Sequence, residues 1–167
     1  MSEFLTAIFQ DMTLAFVVAV CWGVLFGSPR RVLWVAGLLG GAGHCLRFVL
    51  LEVNVGLLPA TLIAAVAIGL AGIFFAHRVN NPPVVFTLPA CITMIPGLHA
   101  YRSMLGCIKI ADENFAVAGN ADILAEVAHN AMLTFSLLVV LAIGISVGML
   151  LFRKRSIKEI TFNWRRR

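Results

Sequence analysis

The chain has 167 residues, 60% of them hydrophobic and 13% charged, with a net charge of +5. An ordinary soluble domain is roughly 45–50% apolar and about 25% charged, so a water-soluble fold of this size could not hide so much apolar surface. A separate soluble domain is excluded by the short connections between apolar runs, and topology and lipid headgroups account for the basic balance without nucleic acid.

Runs of about 20 apolar residues match the hydrocarbon thickness of a bilayer. Residues 1–10 lack the basic region and small-residue cleavage site of a signal peptide, so the first run, Ile8 to Phe26, is expected to stay as an anchor in a chain that starts near Met1. It carries Asp11 near its outer end, and Gly27-Ser28-Pro29 ends it. The second run, Val32 to Leu51, holds His44 and Arg47 one turn apart. Glu52-Val53-Asn54-Val55-Gly56 leads into the third, Leu57 to Ala76, and Asn80-Asn81-Pro82-Pro83 precedes the fourth, Val84 to Ile110. Pro96-Gly97 lies midway along that run with Pro89 upstream; proline removes a backbone donor and crowds the preceding turn, so the helix should break there. Asp112 to Asn130 reads as the one long polar loop, and Ala131 to Phe152 as the fifth helix. The predicted fold class is all-α, a polytopic transmembrane helical bundle of about five helices. It forms one domain over residues 1–167, with residues 153–167 as a basic tail.

Charge orients the bundle, because Lys and Arg in short loops stay on the cytoplasmic side while acidic residues have little weight. With five spans, Arg30, Arg31, Arg78 and every basic residue from Arg153 to Arg167 fall on one face, and only Lys109 lies near the other. The expected topology therefore has the N-terminus and the loop bearing Asp112, Glu113, Asp122 and Glu126 outside, and the C-terminal tail in the cytoplasm. A four-span alternative requires Val32 to Leu51 to lie in the interface.

Small residues at four-residue spacing recur as Gly37-x-x-x-Gly41, Ala65-x-x-x-Gly69 and Gly144-x-x-x-Gly148, which let helix backbones approach closely in lipid. They serve either packing within the bundle or contact with another chain, including homo-oligomerisation. Cys21, Cys45, Cys91 and Cys107 lie in apolar runs without paired spacing and read as small hydrophobes rather than disulfides or metal ligands. His77 and His129 are expected at solvated helix ends.

Ionisable residues inside the membrane are costly and point to function. Asp11, His44, Arg47, His99, Tyr101 and Arg102 all fall toward the outer half of the bilayer in this topology, where they could meet beside the Pro96-Gly97 break. Asp11 is a candidate charge pair, by interfacial snorkelling or a bridge to Arg47 or Arg102. Two arginines against one aspartate leave surplus positive charge suited to a carboxylate, which a guanidinium grips with two hydrogen bonds. His44 can pass protons near neutral pH. A broken helix also presents a half-helix N-terminus, whose dipole favours an anionic group.

The stretch from Phe86-Thr87-Leu88 to Met94-Ile95-Pro96-Gly97-Leu98-His99-Ala100-Tyr101, with Gly43-His44-Cys45-Leu46-Arg47, resembles the small membrane subunit of the split threonine/serine exporter family, the YjjB-like proteins. The resemblance covers nearly the whole chain and is most specific in the Pro-Gly-x-x-Ala-Tyr segment. It implies a bacterial inner-membrane exporter in which a short chain pairs with a larger membrane subunit, exports threonine and serine or, in a two-component branch, dicarboxylates such as succinate, and couples export to protons. The positions that match are His44, Arg47, Pro96, Gly97 and Tyr101. The chain departs from the family's pattern at Thr93, where a proline is common, and at Arg102, where a small or hydroxyl residue is common. The added cation turns the expectation toward a dicarboxylate over a neutral amino acid.

The leading expectation is thus a transport subunit that is not an enzyme and carries no metal and no cofactor. Two other classes remain open: a non-transporting assembly subunit, in which the glycine faces and the kink serve packing alone, and a haem- or quinone-linked protein using His44 and His99, which no further cofactor motif supports.

Overall fold

The computed structural model describes residues 2–111 and 121–151. The acidic pair Asp112 and Glu113 and the tail from Phe152 to Arg167 lie outside the described residues. Six helices follow in chain order: α1 (Ser2–Leu25), α2 (Arg30–Glu52), α3 (Leu57–Val79), α4 (Val84–Ile92), α5 (Gly97–Ile110) and α6 (Ala121–Leu151). Four of them, α1, α2, α3 and α6, are long and apolar enough to cross a membrane, and the pair α4 and α5, bent by 64°, supplies the fifth crossing if it is one span. The all-helical membrane bundle expected from the sequence is the fold observed.

The connections follow the predicted breakers. Gly27 takes a positive φ of 67° after α1, and Asn54 and Asn80 adopt left-handed backbone at the ends of α2 and α3. Asparagine tolerates that conformation because its short polar side chain bonds locally.

Small residues set the packing. On α2, a Cβ at Gly37 would meet the Phe16 ring at 2.6 Å, and one at Gly41 would meet the Met12 carbonyl at 3.0 Å, so this pair lets α1 close on α2. A Cβ at Gly69 would lie 3.1 Å from the Gly144 and Ile145 carbonyls, and one at Gly148 would lie 2.6 Å from the Gly69 backbone. The motifs of α3 and α6 therefore interlock with each other, backbone to backbone. All three small-residue pairs are occupied within the chain, and the exposed apolar side chains lie on other faces.

The core gathers Val32, Val35, Ala36 and Leu39 of α2, Ala64, Ala65 and Ile68 of α3, Phe86, Ala90 and Cys91 of α4, Met94, and Leu141 and Ile145 of α6. Short α4 is held among α1, α2 and α3, whereas α5 packs on α6.

Two expectations change. The polar segment before the last span is shorter than Asp112 to Asn130, because α6 begins at Ala121 and runs 31 residues, ten of them ahead of the predicted start. Asp122, Glu126 and His129 are helical, and His129 lies within α6 rather than at its end. These ten residues, about three turns of helix, pack against α5, a contact that no apolar run in the sequence marks. Asp11 lies well inside α1, which starts at Ser2, rather than near its end.

Candidate functional site

The site grows from two prolines. Within α4, Pro89 has no N–H to donate to the Val85 carbonyl, so that carbonyl loses its helical partner. Ser28, in the turn between α1 and α2, donates its hydroxyl to that carbonyl at 2.9 Å. One orphaned acceptor is thereby satisfied by a residue 57 positions away.

Pro96 breaks the helix itself. The Ile95 N–H turns back to the Ile92 carbonyl, the Gly97 N–H bonds the Ile95 carbonyl at 2.8 Å, and Pro96, with φ −77° and ψ 67°, redirects the chain into α5. No i→i−4 ladder continues across, so the Met94 carbonyl loses the Leu98 N–H it would have in an unbroken helix. Arg47 of α2 takes that place, donating from Nη1 to the Met94 oxygen at 2.9 Å. A cation at this carbonyl-rich end also complements the helix dipole.

Beside it, His44 and Asp11 are joined at 2.6 Å between Nδ1 and Oδ2, both partly buried. Asp11 is also near enough to act electrostatically on Arg47. The partner of Asp11 among the described residues is thus His44, one turn before Arg47, rather than the arginine expected from charge alone. Asp11, His44 and Arg47 form one polar cluster joining α1, α2 and the broken end of α4.

The remaining predicted residues are not part of it. His99 bonds Asn130 of α6, Nδ1 to Oδ1, at 2.7 Å. Tyr101 and Arg102 are exposed on α5. Pro96 and Gly97 form the break itself, and a Cβ at Gly97 would meet nothing within 4 Å, so proline rather than close packing makes the turn. Asn130, 4% exposed, escaped the sequence reading because it stood at the end of a presumed loop. A buried asparagine entering an apolar run was the available signal.

Chemically, the cluster offers a guanidinium with five donors, one of them engaged at Met94, a carboxylate with one oxygen on His44, and an imidazole. The two formal charges, Asp11 and Arg47, balance. Among the described residues no group of three or more His, Cys, Asp or Glu is placed to hold a metal.

Residues 11–151 match the family model described as Threonine/Serine exporter, ThrE. The chain belongs to this family. The matched segment starts at Asp11, ends with α6, and includes the whole cluster and the His99–Asn130 pair. Membership in the ThrE family, with its helices long enough to span a bilayer, makes this chain a membrane protein of an exporter-type transport system. No solved structure matches the chain.

Proposed function

We propose that this ThrE-family chain is one subunit of a two-component exporter in a bacterial inner membrane, working with a larger membrane subunit that supplies the rest of the path. The observation that carries the reading is Arg47, a partly buried guanidinium in a membrane helix, placed on the open end of a broken helix beside Asp11–His44. Such a group captures a carboxylate by exchanging one hydrogen-bond acceptor for another, so the guanidinium itself undergoes little new desolvation. His44, on Asp11, supplies a protonatable group next to the solute for coupling.

The solute is a small amino acid of the threonine or serine type. One cation, Arg47, meets the break, and Asp11 balances it; that pair of charges complements a carboxylate and an ammonium on one molecule. A second reading, a dicarboxylate such as succinate, is favoured by Arg102, which stands on α5 just past the break and would add a second cation if α5 turned inward. The N-terminus is periplasmic and the C-terminus cytoplasmic, from the basic residues on one face.

Efflux from cells loaded with threonine or succinate, expressing this chain with its larger subunit, tests the reading. Arg47→Ala is expected to abolish efflux while the two chains still assemble. Arg102→Ala should spare threonine efflux, and loss of succinate efflux in that variant alone would select the dicarboxylate. Undiminished efflux of both solutes in Arg47→Ala would reject the site, and transport that persists without this chain would make it an assembly subunit.

A further inference from the structure

The two halves of the broken helix are held very differently. Five residues of α4 are buried, Phe86, Thr87, Pro89, Ala90 and Cys91, and the helix is clamped among three others. In α5 the one buried residue is Gly106. Three features fasten α5 to α6: Gly106 against the Val127 side chain, the Ser103 hydroxyl 3.4 Å from the Val127 carbonyl, and His99 on Asn130. Segments with few buried contacts beside a break are those that open first.

The polar pair is built for this place. Asn130 donates Nδ2 to the Glu126 carbonyl at 2.9 Å, which turns its Oδ1 toward His99. His99 must then donate from Nδ1, leaving Nε2 unused by the bond, so the bond survives whether the ring is neutral or protonated. Buried at 4% exposure, Asn130 has both ends of its amide engaged. Separation of α5 would strand this amide, so the pair favours one position of α5 without locking it.

We propose that α5 is a gate beside the Arg47 cluster, swinging about residues 93–96, and that His99 and Asn130 form the latch that holds it against α6. This deepens the transport reading and rests on it. The hinge is pinned by Arg47 through the Met94 carbonyl, three residues before α5 begins. A carboxylate that draws Arg47 away from Met94 frees the hinge, so solute capture and gate movement share one hydrogen-bond donor.

The test joins Ser103→Cys to Val127→Cys with a short reducible bis-thiosulfonate linker in the full two-subunit exporter, with Cys21, Cys45 and Cys107 replaced by Ala. Two quantities are read: solute efflux, and maleimide labelling of native Cys91, which is 3% exposed beside the hinge, by mass spectrometry of its own peptide. The linked protein is expected to lose efflux and label Cys91 severalfold more slowly, and reduction should restore both. Asn130→Leu, which removes the latch with the same number of side-chain heavy atoms, should label Cys91 severalfold faster than the parent. Equal efflux and equal Cys91 labelling in linked and reduced protein would overturn the gate. If neither form exports threonine or succinate while linking still slows Cys91 labelling, the hinge motion stands and the transport reading fails.

Discussion

Single residues in this chain show how lipid forces polar groups into partnership. Arg47, His44 and Asp11 stand out in apolar runs because each is expensive there, and that much was legible from composition alone. Their partners were not. Asp11 and His44 are 33 positions apart, and Arg47 bonds a backbone carbonyl, an acceptor that every residue carries and no pattern marks. Ser28 is the same lesson in smaller form: it read as part of a turn, yet it satisfies the carbonyl that Pro89 orphans. Ser28→Ala should cost about 1 kcal/mol, the net worth of one hydrogen bond, in equilibrium unfolding by denaturing detergent. Arg47→Lys keeps the charge and loses the planar fork, so efflux should fall between the parent and Arg47→Ala.

At the scale of elements, the helices came from apolar runs and breakers, while their pairing depends on which small faces meet. Gly148→Leu would drive a side chain into the Gly69 backbone, 2.6 Å from the position of its Cβ, and the α3–α6 contact would have to open. A clear drop in melting temperature is expected in purified protein. Gly97→Ala is the control. Its Cβ would meet nothing within 4 Å and its φ is not in the left-handed region, so stability should be unchanged or higher by up to about 1 kcal/mol, because alanine outranks glycine in a helix. The first ten residues of α6 were missed for a physical reason: their helix is stabilised by α5, through Gly106 against Val127 and His99 on Asn130, and not by an apolar stripe facing lipid.

For the molecule as a whole, the number of crossings turns on the bent pair. If α4 and α5 together traverse the bilayer, the termini lie on opposite sides; if they enter and return, the termini share one. The basic residues favour the first arrangement. A fluorescent-protein fusion after Arg167 should glow in the cytoplasm, and a tag before Met1 should be cleaved by protease added to spheroplasts. Both termini on one side would make the bent pair re-entrant.

The sequence by itself determined the solvent of this protein and the location of its apolar runs, because transfer of some 20 apolar residues into hydrocarbon is a local property that each run carries alone. It also marked the break, since proline lacks its donor in any surroundings. Tertiary structure decided what the polar residues do. Arg47 covers an open helix end, Asp11 goes to His44, and His99 goes to Asn130 because α1, α2, α4, α5 and α6 meet at those points. With no water in the membrane interior, each polar group must take the partner that packing brings within reach.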